Sequence, residues 1–218
     1  MFIGHFAVGF ASKKFAPKVS LAWLILAPAF LDVLWPIFIL LGWEKASIEP
    51  GITAVSPFNF LSYPISHSMI MALAWSVLFG GLYGMLDKSK RAAIVLGIGV
   101  FSHWILDVIS HRADMPIGFN GPYIGLELWA SHVATLMVEG SMFIVAVWMY
   151  MRVTHEKDRI GRWALAFAVG LLAFFYGQSL FGPPPPSILA VAISGIVALV
   201  LFMPLFWWID RHREVVNS

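Results

Sequence analysis

Apolar residues run along this chain in stretches of about twenty, the length needed to cross a bilayer as a helix, and polar residues fall between them. Six such stretches stand out, at 20–42, 66–86, 91–111, 129–151, 162–180 and 187–209. Every backbone polar group must be satisfied inside lipid, so these stretches predict helices rather than open strands. A seventh apolar stretch, residues 1–12, is too short to cross and runs into Lys13, Lys14 and Lys18. It predicts a half-membrane helix dipping in from the lysine side. Pro28 and Pro36 interrupt the first span, and Pro183 to Pro186 form a stiff link before the last. No internal repeat appears. The expected fold is all-α: a polytopic membrane bundle of about six transmembrane helices plus the half-helix, one integral membrane domain over 1–218.

Composition narrows the function classes. The chain is 60% hydrophobic and only 12% charged, unlike an ordinary soluble domain. The net charge of +2 is small and the basic residues sit in loops, so they speak of orientation and no nucleic-acid partner is expected. Cysteine is absent, which excludes disulfides and thiolate metal sites. The opening stretch precedes its lysines, the reverse of a secretory signal. With six spans, one side carries Lys13, Lys14, Lys18, Lys88, Lys90, Arg91, Arg152, Lys157, Arg159, Arg162, Arg211 and Arg213, and the other only Lys45 and Arg112. The positive-inside rule then places both termini in the cytoplasm of an inner-membrane protein, with the loops at 43–65, 112–128 and 181–186 outside.

Candidate chemistry centres on residues 101–112. His103, Asp107 and His111 are spaced four apart, which stacks them on one helical face. Ionisable groups inside lipid are costly and mark function by default. Depth adds partners. At 1.5 Å rise per residue, His5 lies roughly 12 Å from the lysine side, and Asp32 and His103 about 18 Å. These three fall near the midplane, and His67, Asp107 and His111 continue outward. Imidazole and carboxylate together suit a divalent metal, zinc first, with manganese or iron also compatible. The plain alternative is hydrogen bonding between helices, which does not require four ionisable groups at one level. Ser66 is expected to cap the second span, leaving His67 to the site. Glu139 serves as a ligand, as a general base, or as a protonated side chain bonded to a neighbouring helix. Glu127 and His132 sit near the outer interface, where water satisfies them. Arg112 holds an anionic head group or snorkels. His155 and His212 are expected to be solvated.

At these residues the chain resembles the YdjM-type family, LexA-binding, inner-membrane-associated proteins described as membrane-bound metal-dependent hydrolases. The resemblance rests on Gly4-His5, on Pro28 with Asp32, on Ser66-His67-Ser68, and on His103, Asp107 and His111. It covers roughly the first half, plus a Gly125-Leu-x-Leu-Trp129 and Glu139 stretch seen in some relatives. The family often carries a doubled acidic Pro-Asp-x-Asp-His motif, whereas Val33, Leu34 and Trp35 follow Asp32 here. In kind, the constellation is also similar to the zinc sites of membrane ceramidases, without their motif order.

The expected function is metal-dependent hydrolysis of a lipid or other ester or phosphoester reached from the extracytoplasmic side. Asp32, His103, Asp107 and His5 are the first-choice ligands, and His67 and His111 complete the shell or shuttle protons. Glu139 or Asp107 would take the proton. The loop at 43–65, with Phe58, Phe60 and Tyr63, is a candidate lid. Two rivals use the same residues: a metal-ion or proton transporter, and a scaffold with a structural metal.

Overall fold

The computed structural model describes residues 1–216. Its helices follow the apolar stretches. After the short α1 (Ile3–Ser12) come the first long helix α2 (Leu21–Leu40), the β1–β2 hairpin (Lys45–Ile48 and Phe58–Ser62), a one-turn α3 (Pro64–His67), α4 (Met69–Asp87) and α5 (Lys90–Ser110). The strand pair β3–β4 (Met115–Pro116 and Tyr123–Ile124) and a short 3-10 turn (Leu128–Ala130) lead into α6 (His132–Val153). Strand β5 (Thr154–Glu156), α7 (Arg159–Phe181), α8 (Ile188–Arg211) and β6 (Arg213–Val215) complete the chain. Six helices are long and apolar enough to cross a membrane, so this is a membrane protein of the all-α polytopic class.

Capping sets the starts of the spans after the first. Ser68, Ser89, Ser131, Asp158 and Ser187 each accept a hydrogen bond from the backbone N–H three residues on, opening α4, α5, α6, α7 and α8. Ser68 therefore does the work expected of Ser66, and α4 begins after His67 rather than before it.

Two packed clusters share the bundle. One joins α1, α6, α7 and α8 around Phe10, Phe143, Tyr150, Leu172 and Phe206. The other joins α2, α4 and α5 around Leu24, Leu31, Ala72, Leu96 and Val100. Side chains such as Val77, Leu86 and Val133 point outward, as lipid contact allows. Apolar helices gain little from burial against one another in lipid, so close backbone approach through small residues matters more. Gly9 is the clearest case. A Cβ there would lie 2.6 Å from Ile25 Cδ1 and 2.8 Å from Ile25 Cα. The half-helix α1 thus presses its backbone onto α2, and its buried face carries His5 inward. Gly9→Leu should lower stability by about 1–3 kcal/mol through overpacking. Thermal unfolding in detergent checks this against Gly81→Ala, where a Cβ meets nothing within 4 Å.

The basic segments gather at one end. Lys13 Nζ, buried, donates to Asp210 Oδ1 at 2.7 Å and to Val19 O at 2.9 Å. Arg91 donates to Phe15 O, and β5 pairs antiparallel with β6. His212 and His155, expected to be solvated, are paired: His212 Nδ1 lies 2.7 Å from Asp158 Oδ2, and His155 Nε2 lies 2.7 Å from Glu214 Oε1. The other end carries both hairpins and the proline link. There Val55 N donates to Trp129 O at 3.1 Å, so the 43–65 loop is tied across the bundle.

Candidate metal centre

The centre is built on α5. His103 and Asp107, four residues apart on its buried face, meet with Nε2 and Oδ2 2.9 Å apart. His103 Nδ1 lies 2.7 Å from Pro28 O. A carbonyl oxygen only accepts, so Nδ1 carries a proton, and Nε2 is the nitrogen turned to the Asp107 carboxylate.

His67 reaches the same point from α3. Its Nδ1 lies 2.6 Å from Ser66 Oγ, and Ser66 Oγ donates to Glu44 Oε2 at 2.6 Å. Glu44 Oε1 also accepts from Ser66 N at 2.7 Å. The hydroxyl has one proton, and the carboxylate takes it. His67 Nδ1 must then be the donor to Ser66, and its Nε2 carries a lone pair. The two Nε2 atoms face each other at 3.2 Å. Two imidazoles on one tetrahedral zinc, at 2.0–2.1 Å each, would stand roughly 3.3 Å apart. The spacing therefore fits a shared cation.

Two carboxylates flank this pair. Asp32 Oδ1 lies 3.6 Å from His67 Nε2 and 3.7 Å from His103 Nε2. Asp107 Oδ2 lies 3.7 Å from His67 Nε2. Asp107 Oδ1 lies 3.1 Å from His5 Nε2 and also meets the Met1 amine. The rings of His5 and His103 stack at 3.8 Å, 3° from parallel. Two overlapping ligand groups result, His5/His103/Asp107 and Asp32/His67/His103. Every donor is nitrogen or oxygen, which suits zinc, manganese or iron. His103 belongs to both groups, His5 to the first and Asp32 to the second.

Side-chain exposure separates the two faces of the centre. His67, His103 and Asp107 are almost fully buried, whereas the Asp32 side chain is 54% exposed. It lies on a cavity of about 870 Å³ whose wall also includes Trp35, Trp129, Glu139, Tyr176 and the 53–58 segment. A metal held from the buried side would thus keep a position open to the cavity, as catalytic zinc sites do.

His111 departs from the expected stripe. The helix ends at Ser110, and His111 is its extended C-cap. Its ring still turns inward: Nε2 lies 3.9 Å from Asp107 Oδ2, while Nδ1 donates to Asp114 Oδ1 at 3.1 Å. Arg112 does not line the cavity. Its guanidinium donates to Asp114 Oδ2 at 3.0 Å and to Asn59 Oδ1 at 2.6 Å. The Tyr63 hydroxyl donates to Asp114 O at 3.1 Å. Burial, then the charge of Asp114, pushes the Tyr63 phenol well above its ordinary range, so it stays a donor. Phe60 stacks on Tyr63 at 4.7 Å and lies 5.0 Å from the His111 ring, which brings the 43–65 loop against the centre.

Glu139 Oε2 accepts from Phe2 N at 2.8 Å and Gly4 N at 3.3 Å. These are amides at the start of α1, which no helical carbonyl reaches, and a carboxylate suits that end of the helix dipole. Glu139 Oε1 is buried with no hydrogen-bond partner among the described residues. His132 Nε2 donates to Leu180 O at 3.0 Å on the same cavity wall, and Glu127 is exposed. Sequence reasoning missed Glu44, the Pro28 carbonyl and the α1 amides. Glu44 gives no local signal, being an acid in a loop 22 positions before its partner.

Comparison with family models, with curated proteins and with solved structures finds no match to this chain.

Proposed function

We propose that this protein is a membrane-embedded metal-dependent hydrolase whose centre opens toward the extracytoplasmic side of the inner membrane. The observation that carries the reading is the facing pair of imidazole nitrogens, His67 Nε2 and His103 Nε2, 3.2 Å apart between two carboxylates. The resemblance of the His/Asp motifs to the YdjM-type hydrolases points the same way. Twelve basic residues at one end and the cavity at the other support cytoplasmic termini and an outward site.

His67, His103, Asp32 and Asp107 would hold the metal, with His5 against Asp107. Zinc in such a site lowers the pKa of a bound water to about 7 and polarises a carbonyl. The chain does the rest. Pro28 O and the Glu44–Ser66 pair fix the imidazole tautomers. Glu139 Oε1, unpartnered beside the cavity, takes a proton from water and returns it to the leaving oxygen. Trp35 and Trp129 line the approach and exclude bulk water. Transport is the weaker reading, because the basic end below His5 is plugged by Phe10, Phe143, Tyr150 and Phe206, none more than 5% exposed.

Metal analysis of the protein purified in detergent tests this. The wild type should retain stoichiometric divalent metal after dialysis and hydrolyse a p-nitrophenyl acyl ester. Asp32→Ala should bind metal more than about 100-fold more weakly, because one of four donors is gone and a lost ligand costs more than the 10–100-fold of an outer-shell change, and lose ester hydrolysis. A wild type supplied with zinc, manganese or iron that keeps none of them sinks the proposal.

A further inference from the structure

We infer that the substrate is a lipid acyl ester with an uncharged head group, its tail lying between α7 and α8; this rests on the hydrolase reading above. The first support is where the cavity ends. Its wall runs from Asp32 and Glu139 to Gln178 and Ser179 on α7 and to Val191 and Ser194 on α8. Gln178, Ser179 and Ser194 are exposed wall residues on these two neighbouring helices, which puts an opening of the cavity between them. Ser179 lies two residues inside the end of α7, and Ser194 six residues inside the start of α8. By the helical rise the mouth reaches roughly 9 Å down from the link, into the depth of the acyl chains.

The packing explains the opening. The aromatic contact between these helices, Phe175 with Phe202 at 6.2 Å, lies below it. Above it the link of four prolines holds the helix ends at a fixed spacing, and His132, stacked on Phe181 at 5.7 Å, draws the end of α7 toward α6. A cleft is left that an acyl chain fills without breaking any backbone hydrogen bond.

Charge selects the head group. No cavity-wall residue is a lysine or arginine, and the wall holds the carboxylates of Asp32, Asp107 and Glu139. With a divalent ion on the centre and the Met1 amine against Asp107, no surplus positive charge remains for a phosphate. Arg112, the nearest candidate, is engaged by Asp114 and Asn59. A desolvated phosphate beside carboxylates is a like-charge clash. A glyceride-type ester brings no such charge. In the step proposed, water oxygen bonds to the acyl carbon and the bond from that carbon to the alcohol oxygen breaks. One water proton passes by Glu139 to the leaving alcohol, giving a fatty acid and a free alcohol with no oxidant or reductant.

The experiment uses the full chain, zinc-loaded, in detergent micelles. Mono-oleoylglycerol, dioleoyl phosphatidylglycerol, dioleoyl phosphatidic acid and p-nitrophenyl butyrate are compared by kcat/KM, with oleate release as readout for the lipids. Mono-oleoylglycerol should exceed both phospholipids by at least about 10-fold, the least that a charge clash of this kind predicts. It should also exceed the butyrate ester, and Ser194→Trp should lower the long-chain to short-chain ratio at least about 10-fold by filling the mouth. Equal or faster cleavage of either phospholipid overturns the head-group inference. A ratio unmoved by Ser194→Trp overturns the α7–α8 entry. Bound zinc with butyrate turnover but no oleate release removes the lipid inference and leaves the hydrolase reading standing. Loss of butyrate turnover together with bound metal takes both down.

Discussion

Asp107→Asn should strip the protein of its metal while leaving the bundle folded. Asp107 is the residue that most of the centre touches: His5, His103, His67 and His111 all place a ring nitrogen within 4 Å of its carboxylate. Asparagine keeps the shape and removes the charge. Its amide N–H₂, set where Oδ2 now lies 2.9 Å from His103 Nε2, would donate to that nitrogen and take up its lone pair. A hydrogen bond then occupies the position a cation needs. Metal affinity should fall by more than about 100-fold, beyond the 10–100-fold typical of outer-shell changes. Ester hydrolysis should drop to background, and the unfolding temperature of the metal-free protein should fall, because the buried Met1 amine loses the carboxylate charge it pairs with. Titration with zinc in detergent, beside a thermal melt with and without metal, reads all three. A variant that keeps wild-type zinc affinity would remove Asp107 from the centre.

Much of this architecture is written in the chain as periodicity. The apolar stretches mark the six long helices because lipid leaves the backbone few other choices. The depth argument placed His5, Asp32 and His103 together because a helix converts residue count into distance at a fixed rate. That conversion fails where the chain leaves the helix. His111 obeys the four-residue spacing, yet the helix stops one residue earlier, and the ring returns to Asp107 from an extended position held by Asp114. Ser66 resembles a cap by its place after Pro64, but the kink at Ser68 moves the cap two residues on and frees Ser66 for Glu44. Glu139 was legible as a buried acid, and its role was not. Its partners are main-chain amides of a half-helix more than 130 positions away, and amides carry no sequence signature.

Glu44→Gln should weaken metal binding by 10–100-fold from a position that touches no metal, the range typical when an outer-shell partner of a ligand is lost. The effect runs through one proton. In the wild type both Glu44 oxygens accept, one from Ser66 N and one from Ser66 Oγ. Ser66 must therefore receive the Nδ1 proton of His67, and Nε2 is left bare toward His103. Glutamine turns one acceptor into a donor. With its oxygen kept on Ser66 N, its N–H₂ faces Ser66 Oγ and drives the hydroxyl proton onto His67 Nδ1. The imidazole proton then moves to Nε2, where it points at His103 and competes with the cation. Ser66→Ala removes the same relay from its middle and should cost a similar amount. Nitrogen NMR of the labelled His67 ring separates this from a general loosening of the loop, because it reports which nitrogen carries the proton. Glu49 supplies the control: in the same loop it accepts from Asn59 Nδ2 at 2.9 Å on the exposed face, and Glu49→Gln should leave metal affinity unchanged. If Glu44→Gln binds zinc as the wild type does and keeps the proton on Nδ1, the relay has no hold on the centre.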